Sequence, residues 1–121
     1  MDSEDLKERT KCFALRVMKL VEALPKTAAG RAIGNQLVRC GTAVGANYRA
    51  ACRGRSRSEF AAKLGTVVEE ADETCFWLEL VMDGDLLPQE RVQPLYAEAD
   101  DLTAIFTSSY RSAKNKASEK S

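Results

Sequence analysis

Apolar residues recur at three- and four-residue intervals along most of the chain, the spacing of amphipathic helices. Phe13, Val17, Leu20, Val21 and Leu24 mark the buried stripe of a first helix expected over 3–24. Ser3 precedes it, and Glu4 and Asp5 suit the positive end of its dipole. Pro25 ends it, because proline lacks a helical N–H and constrains its predecessor. Thr27 then caps a second helix expected over 28–53, with Ile33, Leu37, Cys40, Val44, Tyr48 and Ala51 on one side. Gly54 reads as its C-cap, and Ser56 or Ser58 as the cap of a third helix over 58–83. Phe60, Leu64, Val67, Ala71, Cys75, Leu78 and Met82 form that third stripe. Gly84 closes the helix, and Asp85-Leu-Leu-Pro88 leads into a fourth over 88–112. Val92, Leu95, Tyr96, Ala99, Leu102, Ile105 and Phe106 supply the last stripe. The polar tail at 113–121 is expected to fray.

No strand alternation, glycine-rich phosphate loop or internal repeat interrupts this pattern. Four helices with short connections imply one all-α domain over 1–121, an antiparallel up-down-up-down four-helix bundle. The second helix is the unusual one. Gly30, Gly34, Gly41 and Gly45 each cost about 1 kcal/mol of helix propensity relative to alanine. Such a helix persists by packing, and with Ala43, Ala46, Ala50 and Ala51 it leaves room for a neighbour to approach closely.

The chain has 18 basic and 18 acidic residues, so net charge points to no partner, but their distribution does. Residues 11–63 hold eleven Lys or Arg against two Glu, whereas 64–121 hold five basic against twelve acidic residues. Such asymmetry suits an anionic ligand, or a basic face meeting the acidic face of another copy. No apolar run approaches the roughly 18 residues of a membrane span, and the acidic N-terminus MDSEDLKER lacks a signal-peptide core. Cys12, Cys40, Cys52 and Cys75 show no C-x-x-C spacing, and there is no histidine, so no zinc site is expected. Free thiols and a cytoplasmic location follow as expectations.

With about 100° per residue, Arg31, Arg39, Arg49 and Arg53 share roughly 80° of arc opposite the apolar stripe. Arg55 and Arg57 continue this basic face through the turn, and Lys63 extends it into the third helix. Arginine forks match phosphate geometry, which makes these seven residues candidates for binding the RNA or DNA backbone. No aromatic residue interleaves the arginines for base stacking, so such binding would have weak sequence preference. Two other readings stay open: pairing with the acidic third helix of a neighbouring subunit, and a merely solvated face. Phe76, Trp77 and Leu80 lie off the core stripe and form a candidate oligomer interface, with Trp77 as its anchor. Asn47 borders the apolar side of its helix and is expected to hydrogen-bond across the bundle. Glu59, Glu70 and Glu73 lack the inward Glu-x-x-His ligands of bundle metal sites, so neither metal nor cofactor is expected. Ser56 and Ser58 have no accompanying base, and nothing else suggests an enzyme.

Arg39, then Val44-Gly-Ala-Asn-Tyr-Arg49, Ser58-Glu-Phe60, Lys63, Glu69-Glu-Ala-Asp-Glu-Thr74 and Trp77-Leu78 carry a family likeness. Over essentially its full length the chain resembles the bacterial four-helix-bundle proteins named after the intervening sequences of 23S ribosomal RNA genes. The accessory variability protein of diversity-generating retroelements is a more distant likeness. The resemblance implies a cytoplasmic, ring-like homo-oligomer, typically a pentamer, and nucleic-acid binding in the case of the retroelement relative. A larger protein such as a reverse transcriptase is a further partner it suggests. Ala50 and Ala51 stand where another branch has Glu-Gly, so site inferences from that branch do not transfer. The leading expectation is a noncatalytic homo-oligomer presenting basic faces to RNA or DNA, as an accessory to a larger nucleic-acid enzyme. The alternative is a scaffold whose arginines are consumed between subunits and whose partner is a protein.

Overall fold

A computed structural model describes residues 1–120 of the chain. Four helices, α1 (Ser3–Glu22), α2 (Ala28–Cys52), α3 (Arg57–Asp83) and α4 (Gln89–Lys120), account for nearly all of it, and the described residues contain no strand. Side chains start three of them. Asp2 accepts from the Asp5 N–H (2.9 Å), Thr27 from Gly30 (3.1 Å) and Ser56 from Glu59 (3.1 Å). Each satisfies an amide that the first turn leaves without a helical acceptor. At α3 the Glu59 carboxylate also accepts from the Arg55 N–H at 2.6 Å, tightening the turn from both sides.

The ends differ in detail from the sequence reading. The N-cap of α1 is Asp2 rather than Ser3, and its last helical residue is Glu22, since the restriction before Pro25 acts on the preceding turn. Arg53, not Gly54, caps the C-terminus of α2. Gly84 caps α3 with φ of −87°, and the left-handed residue is Asp85 at φ 55°. Helix α4 continues to Lys120 instead of ending near 112. Ala113 is buried in the core, which holds the last turns against α3 where the polar composition suggests fraying. Residue 121, the end of that expected tail, lies outside the described residues.

Successive helices run antiparallel, and contacts fix their register. Thr10 lies beside Gly45, Val17 beside Gly41 and Val21 beside Gly34, an order that descends along α2 as it ascends α1. Thr74 Oγ1 lies 3.2 Å from Cys40 Sγ between α3 and α2. Tyr110 stacks its ring edge on Gly65, and Tyr96 donates to Glu79 (3.2 Å), between α4 and α3. Helix α1 packs sparingly on α4, and among the described residues the diagonal pairs keep their backbones apart. Helices α2 and α4 nevertheless meet at the core through the Tyr48 and Phe106 rings, 5.2 Å between centres. The bidentate pair of Arg9 with Glu98, at 2.7 Å to each oxygen, helps close the α1–α4 side.

Phe13, Leu37, Leu64, Leu78, Leu102 and Phe106 are fully enclosed at the centre, each contributing about 1.5–3 kcal/mol by burial. Thr10 and Thr74 are the buried polar side chains. Each hydroxyl donates to a carbonyl one turn earlier in its own helix, Leu6 and Glu70, both at 2.8 Å. Thr10 combines a satisfied hydroxyl with small size, which lets the Gly45 backbone come close.

Candidate nucleic-acid interface

Antiparallel packing brings the N-terminus of α1, the α2–α3 turn and the N-terminus of α3 to one end of the bundle. Lys7 and Lys11 are one turn apart on α1, and Arg49 and Arg53 one turn apart on α2. Together these two pairs line an open groove of about 470 Å³ along the outer α1–α2 seam. Its floor is Thr10, Ala14, Thr42, Gly45 and Ala46, small enough for the helices to sit close and the cations to converge. A second groove of about 420 Å³ follows the outer α2–α3 seam, where Arg53, Arg55 and Lys63 gather around Ala50 and Ala62. Arg53 belongs to both. Arg57 projects from the first turn of α3 beside Phe60 and Lys116.

Most of these cations are uncompensated. Among the described residues, Arg49, Arg53, Arg55, Arg57 and Lys63 form no ion pair, and all five are exposed. Lys7 bonds Glu4 at 3.1 Å, an exposed pair of small energetic consequence. The exposed Glu59 carboxylate also lines the second groove, where it accepts from the Arg55 N–H as a cap.

Arg39 and Arg31 depart from the expected basic face. Arg39 bridges to α3 of its own chain, contacting Glu70 at 3.2 Å and Glu73 in a short contact, while its Nε donates to Gln36 at 3.0 Å. Its charge is therefore spent within the subunit, and the same contacts account for Glu70 and Glu73. Arg31 sits about 33 Å along α2 from Arg53, at 1.5 Å per residue, and donates to the Lys26 carbonyl at 2.8 Å. Of the seven basic candidates, five meet at one end of the bundle. Lys7 and Lys11 join them and were not among the seven. Lys7 lies in an N-terminal segment that is acidic overall, which hides it in a charge census. Lys11, though counted in the basic stretch, is on a different helix from the arginine face.

The apolar candidates also separate. Phe76 is 50% exposed, whereas Trp77 and Leu80 are half-buried. Trp77 packs against the core, donates its indole N–H to Glu73 at 2.9 Å and supports Phe76 edge-on with ring centres 5.1 Å apart. Phe76 is thus the projecting group and Trp77 its base. Asn47 is half-buried, and its amide donates to the Ala43 carbonyl of its own helix at 2.9 Å, not across the bundle as its position suggests. The hydrogen bond one turn back satisfies the amide locally.

Two cysteines are buried, Cys40 and Cys75, and burial raises both thiols above their ordinary pKa. Among the described residues no group of His, Cys, Asp and Glu is placed to hold a metal ion. No helix is long and apolar enough to cross a membrane.

Residues 4–108 match the family model of the 23S rRNA-intervening sequence protein. The chain belongs to that family. Among solved structures, it is similar to a protein of unknown function from the S23 ribosomal protein family of Bacteroides thetaiotaomicron. The TM-score is 0.80 at 29% identity, covering 86% of this chain and 96% of that one. No curated protein matches it. For this member of the 23S rRNA-intervening sequence protein family, the family match spans both basic grooves and the Phe76 patch and stops within α4.

Proposed function

We infer that the chain is a noncatalytic homo-oligomer whose basic end binds the phosphate backbone of nucleic acid. One observation carries this reading: the fold gathers Lys7, Lys11, Arg49, Arg53, Arg55 and Lys63 into two adjoining grooves, with little compensating carboxylate. Two open grooves meeting at Arg53 suit an extended polyanion better than a small enclosed ligand. The name of the family, which ties its members to 23S rRNA intervening sequences, supports RNA as one target. The exposed Phe76 patch supports self-association, and a ring of five is the assembly that the family likeness suggests.

Backbone contacts release counterions, so affinity should fall steeply with salt. Six phosphate contacts to a duplex correspond to a log–log slope of about −5. Fluorescence anisotropy with structured RNA and with duplex DNA across a salt series tests this. Replacing Arg49, Arg53, Arg55 and Lys63 by Ala is expected to weaken binding to all sequences alike and flatten the slope by about 3 to 4. No binding by the wild type at low salt, or unchanged binding by the fourfold variant, would reject the reading. In that event a scaffold with a protein partner becomes the better account.

A further inference from the structure

Besides Phe76, the described surface carries three other large exposed apolar side chains within helices: Leu15 (55%) and Met18 (45%) on α1, and Val38 (37%) on α2. The register aligns them. Val17 lies against Gly41 and Val21 against Gly34, so Met18 and Val38 fall at the same level on opposite lips of the outer α1–α2 seam. Leu15 stands one turn of α1 from Met18. Val38 lies about 16 Å along α2 from Arg49, while Leu15 stands one turn from Lys11 at the near edge of the basic groove.

Its rim is cationic on balance: Lys11 and Lys19 are exposed beside it on α1, with Glu22 one turn beyond Met18, while Arg16 lies toward α4, where it acts on Glu98. The Phe76 patch has the opposite rim: Glu69, Asp72, Glu79 and Asp83 are exposed around it on α3. Two apolar patches with complementary rims thus sit on one chain. They lie on elements α1 and α3, diagonal in the bundle, and so face different directions.

We propose that the Phe76–Trp77–Leu80 patch of one copy docks on the Leu15–Met18–Val38 seam of the next. Such a contact joins two different surfaces and is therefore head-to-tail, generating a closed ring or a filament rather than a two-fold dimer. Opposed charges at the rims fix the orientation and disfavour seam-to-seam or patch-to-patch pairing. Lys11 borders both the seam and the basic groove, and Arg49, Arg53, Arg55 and Lys63 of every copy stay outside the contact. The proposal rests on the self-association inferred above and specifies which surfaces accomplish it.

Two single substitutions test it, Met18→Asp on the seam and Phe76→Asp on the patch. Both positions are about half exposed, so the core is untouched, and circular dichroism checks the fold. By light scattering, the wild type is expected to be an oligomer and each variant a single chain. A head-to-tail contact makes a further demand that a symmetric one does not. The seam variant keeps an intact patch and the patch variant an intact seam, so an equimolar mixture should form a species of two chains and no larger. A mixture that stays single-chain, or a variant alone that keeps the wild-type mass, overturns the pairing and leaves self-association standing. A wild type that is itself a single chain overturns both. Should either charged variant lose helicity, Met18→Ala and Phe76→Ala are each expected to weaken association about tenfold, and unchanged association in both refutes the pairing.

Discussion

The α1–α2 seam is closed by absent side chains, and Gly41→Ala measures how tightly. A methyl at Gly41 would lie 2.8 and 2.9 Å from the two γ carbons of Val17 and 3.1 Å from its Cβ. Val17 is fully buried, and a β-branched side chain in a helix has one strongly preferred rotamer, so it cannot swing aside. Alanine gains about 1 kcal/mol of helix propensity, while overpacking of this kind costs about 1–3 kcal/mol. Two contacts under 3.0 Å put the cost in the upper half of that range, for an expected net loss of about 1–2 kcal/mol. Urea and thermal unfolding followed by far-ultraviolet circular dichroism at one fixed protein concentration would register it, at about 3–6 °C per kcal/mol for a chain of this size. Val17→Ala alone should cost about 2–3 kcal/mol through lost burial and the space left behind. In the double variant the new methyl occupies part of that space. Its destabilisation should therefore fall short of the sum of the singles by about 1 kcal/mol or more. Gly34→Ala provides the contrast, because its methyl would meet Val21 Cγ1 at 3.1 Å and Val21 is half-buried and freer to yield. It should be within about 0.5 kcal/mol of neutral, as the propensity gain offsets the crowding. A Gly41→Ala protein as stable as the wild type, or a strictly additive cycle with Val17→Ala, would refute the tight-seam argument.

The Arg9 guanidinium holds the Glu98 carboxyl below its ordinary value of 4.5, chiefly through its hydrogen bonds. A depressed folded-state pKa adds stability above the unfolded value and loses it as pH falls through the folded one. Glu98→Gln should therefore be less stable by about 1–2 kcal/mol near neutrality, with the gap closing as pH falls below the ordinary 4.5 and through the lowered folded-state value in acid titrations of urea stability. Exposed Cys12 should react with a thiol reagent in the native protein, whereas buried Cys40 and Cys75 should react only on unfolding. Peptide mapping after alkylation checks this, and fast native labelling of Cys40 would contradict the packing of α2 on α3.

How much of the site could be read beforehand varied with the kind of information each residue needed. Arg49, Arg53 and Arg55 needed helical phase and a turn, both local, and they are where that reasoning puts them. Arg39 shares their helix face, yet its fate depended on Glu70 and Glu73 more than thirty positions away. Lys7 and Lys11 failed the other way, since their partners in the groove are about forty positions distant and the segment around Lys7 is acidic. The seam residues Leu15, Met18 and Val38 gave no signal as isolated apolar positions, and became a patch once α1 and α2 were in register.

The amino-acid order by itself determined four helices, their punctuation at Pro25, Ser56 and Gly84, and the stripe each one buries. It did so because a 3.6-residue period and capping chemistry are properties of a single segment. Tertiary structure decided which charges are spent and which stay available, which aromatic projects, and which apolar positions join across a seam. Those outcomes depend on the axial offset between neighbouring helices. Here close backbone approach at Gly34, Gly41 and Gly45 sets that offset for α1 and α2, and no one helix carries the information alone.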